Sequence, residues 1–176
     1  MPEVSVVLGS DSDLPGMREC FSVLEEFGVS FEIVVSSAHR SPERTMEYAR
    51  TLKERGVKVV IAVAGGAAHL PGVVASLTTL PVIGVPVVTG LAGGLDSLLS
   101  IVQMPAGVPV AAMAAGKSGA ANAALFSLAV LALLDPTLAG KLDGYRKRLS
   151  GEVSEKDERL RSLGYREYVK ALEKKA

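Results

Sequence analysis

Val57-Lys58-Val59-Val60-Ile61-Ala62-Val63 runs into Ala64-Gly65-Gly66-Ala67-Ala68-His69-Leu70-Pro71-Gly72, and this stretch decides the fold. Its first seven residues are Val, Ile and Ala apart from Lys58. A run so short and so continuously apolar is buried on both faces, as in a parallel sheet. Glycines and alanines then make a loop with little side-chain bulk. His69-Leu70-Pro71 opens a helix, with proline in its first turn.

The pattern repeats on either side. Val4-Ser5-Val6-Val7-Leu8 predicts a strand ended by Gly9. Asp13 is the expected cap of a helix whose Leu14, Met17, Phe21, Leu24 and Phe27 recur every three or four residues, with Gly28 as its stop. Phe31 to Val35 predicts a second strand. Ser41-Pro42-Glu43 opens a helix expected to reach Arg55 and stop at Gly56. Val82-Ile83-Gly84-Val85 and Val108 to Ala111 complete the strands. Leu95 to Gln103 and Ser118 to Leu134 complete the helices. Strands alternating with helices imply right-handed βαβ units and a parallel sheet covered on both faces. The expected class is α/β, flavodoxin-like, with about five strands. Residues 1–135 form the expected catalytic domain, and 136–176 a helical extension packing on it or on a neighbouring subunit.

Charge narrows the function. The 176 residues carry 19 basic and 19 acidic side chains, which excludes binding a polyanion by bulk charge. One cysteine, Cys20, excludes an intrachain disulfide framework, and with two histidines it argues against a structural metal site. Between Val59 and Leu134 only Asp96 and Lys117 are charged, against roughly a quarter of residues in a usual soluble domain. Ser118 to Leu134 is at the short limit of a spanning helix and contains Asn122, so burial in a core and against other copies of the chain is the better reading. From Pro136 the tail is +4, with Leu160, Leu163, Tyr168 and Leu172 as an apolar stripe among mixed charges, which does not suit nucleic acid. Met1-Pro2-Glu3-Val4 shows no secretory pattern, so a cytoplasmic location is expected.

Ligands of open parallel sheets sit beyond the carboxyl ends of the strands. There Gly9-Ser10-Asp11-Ser12-Asp13 offers hydroxyls and carboxylates before a helix, suited to a phosphate and a ribose or else to a capped turn. Ser37-Ala38-His39-Arg40 offers a guanidinium fork and an imidazole able to give and take a proton, or else an exposed loop histidine beside a surface arginine. His69 reads more readily as a structural histidine held by backbone carbonyls. Asp96 either caps its helix or answers a neighbouring donor.

Three segments together resemble the signatures of the N5-carboxyaminoimidazole ribonucleotide mutase family, the catalytic phosphoribosylaminoimidazole carboxylases of purine biosynthesis. They are Gly9 to Asp13, Ser37 to Pro42 and Ala64 to Gly72. Leu95-Asp96-Ser97-Leu98, Ser100 to Pro105 and Gly119 to Ala124 also match. Ser41 stands where the family usually has Thr, and Val63 where Gly is common. The resemblance implies a three-layer α/β sandwich, a homo-octamer, a small nucleotide substrate and neither cofactor nor metal. It implies transfer of a carboxylate from the exocyclic nitrogen to ring carbon C4, with His39 as the acid–base group. Ser10, Asp13 and Arg40 would bind the nucleotide, Ser12 and Ser37 would assist at phosphate, Ala64, Gly65 and Leu70 would frame the base, and His69 would stand in the site wall. The alternatives are direct carboxylation with CO₂ on the same fold, and a non-catalytic flavodoxin-like binding module.

Overall fold

The structure, a computed structural model, describes residues 1–174. The chain divides into one compact unit over Met1–Leu134 and a second from Asp135 onward.

In the first unit five strands form one parallel sheet: β1 (Val4–Leu8), β2 (Phe31–Val35), β3 (Val59–Ala64), β4 (Val82–Pro86) and β5 (Ala111–Ala112). Their order is β2-β1-β3-β4-β5. The helices between them are α1 (Arg18–Phe27), α2 (Pro42–Thr51), α3 (Leu70–Leu77), α4 (Leu95–Val102) and α5 (Lys117–Ala132). This is the flavodoxin-like α/β architecture expected from the strand–helix alternation. Strands β1, β3 and β4 are buried at every position, as their unbroken apolarity requires. Val7, Val60, Ala62 and Ala64 share a core with Tyr48, Leu52 and Val74, which places α2 and α3 on that face. α5 packs on α1 and against β3 and β4.

Several boundaries differ from the sequence expectation. Asp13 does not cap α1. A 3-10 segment, Asp11–Met17, precedes the helix, and Ser10 caps it by accepting from the Ser12 N–H while the Asp13 N–H bonds the Ser10 carbonyl. Pro15 lies inside this segment and has no N–H to bond the preceding turn. The buried positions of α1 are accordingly Cys20, Val23, Leu24 and Phe27, and Leu14 is only half-buried. Gly28 does end α1, in left-handed backbone, with Val29 N–H returning to the Leu24 carbonyl. α2 stops at Thr51, because residues 52–56 tighten into turns closed by the Gly56 N–H on the Lys53 carbonyl. β5 shrinks to two residues, since Pro109 has no donor for the ladder.

Helix α5 looks uniformly apolar in sequence, yet its burial is strictly one-sided. Gly119, Ala120, Ala123, Ala124, Ser127, Leu128 and Leu131 are buried, while Asn122, Phe126 and Ala129 are exposed. Among the described residues no helix is long and apolar enough to cross a membrane.

In the second unit α6 (Pro136–Glu173) starts at Asp135, whose carboxylate accepts from the Thr137 and Leu138 N–H groups. Gly164, at φ 71° and ψ 156°, interrupts the helix. Leu160, Leu163 and Leu172 of the expected stripe are exposed, and Tyr168 is half-buried.

A β-carbon at Gly119 would fall on the Ala114 carbonyl, backbone that cannot step aside. Gly119→Ala should therefore destabilise by about 1–3 kcal/mol or more, although alanine is the better helix former. Gly140→Ala in α6, with open space around it, should stabilise by up to about 1 kcal/mol. Chemical denaturation followed by circular dichroism reads both signs.

Candidate active site

Beyond the carboxyl ends of β1, β2, β3 and β4 lies a cavity of about 410 Å³. Its walls include Ser10 and Asp13 after β1, Ser37, His39 and Arg40 after β2, and Ala64, Gly65, His69 and Leu70 at and after β3. Nine of the ten site residues expected from sequence thus face one space. Ser12 does not. It borders a separate cavity of about 180 Å³ with Met17, Val85 and Gly116, and its hydroxyl donates to Ser10 Oγ at 2.8 Å.

The loop carrying His39 and Arg40 is held by hydroxyls. Buried Ser36 bonds Thr45 Oγ1 of α2 at 2.8 Å, and Thr45 donates to the Ser41 carbonyl. Ser41 takes the position before Pro42 but does not cap α2. Its hydroxyl donates to the Ser37 carbonyl and accepts from the Ser37 N–H, closing the loop on itself. Arg40 then lies across two strand exits, donating from Nη2 to the Gly9 carbonyl at 3.2 Å and from Nε to Ser37 Oγ at 3.4 Å. Among the described residues no carboxylate pairs with it, so its charge is available to an anion.

His39 and His69 meet edge to face, with His39 Nε2 2.8 Å from His69 Nδ1. One nitrogen carries the hydrogen and the other the lone pair. His69 was expected to rest on backbone carbonyls. It is instead exposed and bonded to the other imidazole, because its place at the head of α3 turns it outward toward the β2 loop.

Asp13 is pushed above the ordinary carboxylate range, chiefly by burial, with bonds from the Ser10 backbone and the Ser12 side chain opposing the rise. The Gly65–Gly66 turn is pinned from α4. Gly66 N–H donates to buried Ser97 Oγ at 2.9 Å, and Ser100 Oγ donates to the Gly66 carbonyl at 3.2 Å. A side chain at Gly65 would crowd Val87, so glycine keeps this wall thin. Asp96 answers a neighbour and does not cap α4: Thr89 Oγ1 donates to its carboxylate at 2.6 Å.

The sequence reading missed Val87 and Thr89, which complete the wall after β4. The signal was present, since both follow the carboxyl end of β4, as the other site residues follow those of β1, β2 and β3. Among the described residues no three His, Cys, Asp or Glu side chains gather as a metal site.

Comparison with known proteins identifies the family. The family model for AIR carboxylase matches residues 3–152. The N5-carboxyaminoimidazole ribonucleotide mutase of Thermotoga maritima is 53% identical over 96% of this chain and 98% of its own length. The protein of that name from Pyrococcus horikoshii is 54% identical over 96% of this chain and 94% of its own. The crystal structure of Treponema denticola PurE superposes with a TM-score of 0.82 at 26% identity, covering 91% of this chain and 99% of that one. With a family match over most of its length and near-full-length relatives above half identity, the chain belongs to the AIR carboxylase family.

Proposed function

We propose that the protein is the mutase of purine biosynthesis that converts N5-carboxyaminoimidazole ribonucleotide to 4-carboxy-5-aminoimidazole ribonucleotide. The observation that carries this reading is the cavity that gathers His39, Arg40, Ser10, Asp13 and the Gly65 turn. Two near-full-length relatives bearing the mutase name support it over direct carboxylation. The catalytic domain is residues 1–135, with 136–176 as an extension.

Arg40, with Ser10 and Ser37 around the first two strand exits, takes the phosphate, and Ser12 assists from outside the cavity by bonding Ser10 Oγ. A guanidinium with no carboxylate partner and a cluster of hydroxyl donors is suited to an anion. Asp13 accepts from the ribose. Ala64, Gly65 and Leu70 frame the heterocycle, with His69 in the wall. His39 is the acid–base group. As imidazolium it gives a proton to the exocyclic nitrogen, the N–C bond to the carboxylate breaks, and CO₂ is released into the cavity. Ring carbon C4 then attacks the CO₂, forming the new C–C bond. Neutral His39 removes the C4 proton and restores aromaticity. One group serves both steps, so the proton account closes without a second acid. Small side chains at Ala38, Ala64, Gly65 and Ala67 leave room for CO₂ to stay beside the ring it must rejoin.

The active form is a homo-octamer in the cytoplasm. Leu95, Leu99 and Val102 form an exposed stripe along the outer face of α4, and Leu133 and Leu134 are also bare. Apolar surface of this kind marks an interface between subunits. The number eight rests on the family resemblance.

The direct test is incubation of the purified protein with the N-carboxylated nucleotide, without ATP. Conversion to the C-carboxylated isomer is expected, and none would end this reading. His39→Asn should bind nucleotide normally yet lose turnover by 100-fold or more, on the order of general acid–base catalysis. Near-normal turnover would remove His39 from its role. Light scattering should give about eight times the chain mass of 18.3 kDa.

Asp13 gives a pH-dependent prediction. Its raised pKa means that the folded protein disfavours the charged form. Its stability cost is absent well below the ordinary carboxylate value of 3.8 and develops as pH rises through and above it. Asp13→Asn should therefore raise the Tm of the ligand-free protein at pH 7 by no more than about 3 °C. The gain should vanish near pH 3, and nucleotide binding should weaken. A Tm that falls at pH 7 would contradict it.

A further inference from the structure

Thr89 walls the cavity immediately after β4, and its hydroxyl hydrogen is already committed. Oγ1 donates to Asp96 Oδ1 at 2.6 Å, a length typical of a charge-assisted bond. Asp96 sits in the first turn of α4, where the helix dipole favours an anion. The Thr89 bond holds its carboxyl below the ordinary range. A hydroxyl has one hydrogen, so Thr89 Oγ1 has only lone pairs left to offer and can only accept. Across the mouth of the site, Ser37 Oγ, which only accepts from Arg40, and the guanidinium of Arg40 itself have hydrogens to donate. Thr89 is therefore placed to read a donor on the ligand.

Its position says which donor. The strand order puts β1 and β3 between the loop bearing Arg40 and the tip of β4. The guanidinium reaches over to the Gly9 carbonyl at the exit of β1, two spacings of about 4.8 Å, or about 10 Å, from β4. Thr89 thus stands on the opposite side of β3 from the cation that takes phosphate. It stands next to the turn that frames the heterocycle, where its Cγ2 lies 3.5 Å from the place of a β-carbon on Gly65.

We infer that Thr89 is a specificity-determining residue, its Asp96-oriented hydroxyl accepting a hydrogen bond from the exocyclic N–H of an aminoimidazole nucleotide. This rests on the functional reading above and extends it to a residue outside the sequence-predicted set. The exocyclic nitrogen bears at least one hydrogen in the N-carboxylated substrate, in the decarboxylated intermediate and in the C-carboxylated product. The bond is therefore uniform along the reaction and acts on affinity, leaving the chemical step alone.

The test uses the full-length protein and two nucleotides: 5-aminoimidazole ribonucleotide and the same imidazole ribonucleotide lacking the amine. Calorimetry on Thr89→Val should show about tenfold weaker binding of the amino nucleotide, the usual effect of leaving a ligand donor unpaired. The des-amino nucleotide should bind as to wild type. In turnover, KM for the N-carboxylated substrate should rise about tenfold with kcat within about twofold. Thr89→Ser, which keeps the hydroxyl, should restore both. Wild-type affinity of Thr89→Val for the amino nucleotide would overturn the inference. Equal loss for both nucleotides would overturn it too, since Thr89 would then be reading ribose or merely supporting the wall. If wild-type protein binds neither nucleotide, the functional reading itself has failed, and this inference with it.

Discussion

Leu8 stands beside Val35 on one side and Val63 on the other, and Val63 stands beside Val85. This unstaggered parallel ladder is what the rest depends on. It makes the chain leave the sheet four times along one line, at Gly9, Ser36, Gly65 and Val87. Residues separated by nearly eighty positions thereby wall a single space. A slip of one residue in any strand would exchange the side chains of its two faces and draw its loop back by about 3.3 Å. With β1, β3 and β4 buried throughout, such a slip would break close packing on both sides of the sheet at once. The hydrophobic effect that packs the sheet is also what aligns the chemistry.

Fine positioning falls to hydroxyl groups. Between Val59 and Leu134 the chain has two charged side chains, so ion pairs are not available to hold the later loops. Neutral hydrogen bonds do it, Gly66 N–H to Ser97 and Ser100 to the Gly66 carbonyl, as Ser36–Thr45 and Ser41 to Ser37 do in the earlier loop. A buried hydroxyl left without its partner is costly, which makes each of these bonds selective for one geometry. Asp96, the lone acid of the segment, fits the same logic by orienting a hydroxyl.

The strands and most helices were legible because burial on both faces leaves a near-continuous apolar run, as in Val4–Leu8 and Val59–Ala64. The loops of the site were legible because chain order alone places them at strand ends. What the sequence hid was local competition for hydrogen bonds. Ser10 outcompeted Asp13 as a cap three residues earlier, and Ser41 turned its hydroxyl back to Ser37 and not into α2. Pro109 silenced most of the last expected strand. The His39–His69 contact was also invisible, since nothing in two loops thirty residues apart states that their rings touch. Thr89 was passed over for a different reason: a single threonine among glycines and valines carries no motif, only a position.

Small residues along α5 let it press against α1 and the centre of the sheet. That seam limits how the chain can drift. At 26% identity the Treponema denticola chain keeps the fold while most side chains differ. Room for such divergence exists at Asn122, Phe126 and Ala129, which face away from the sheet. Gly119 is held by the Ala114 backbone, and along Ala120, Ala123 and Ala124 any gain in volume must be met by a simultaneous reduction in the elements packed beneath. Single-step exchanges there are closed to a lineage, so this face of the helix should change rarely and only in matched pairs.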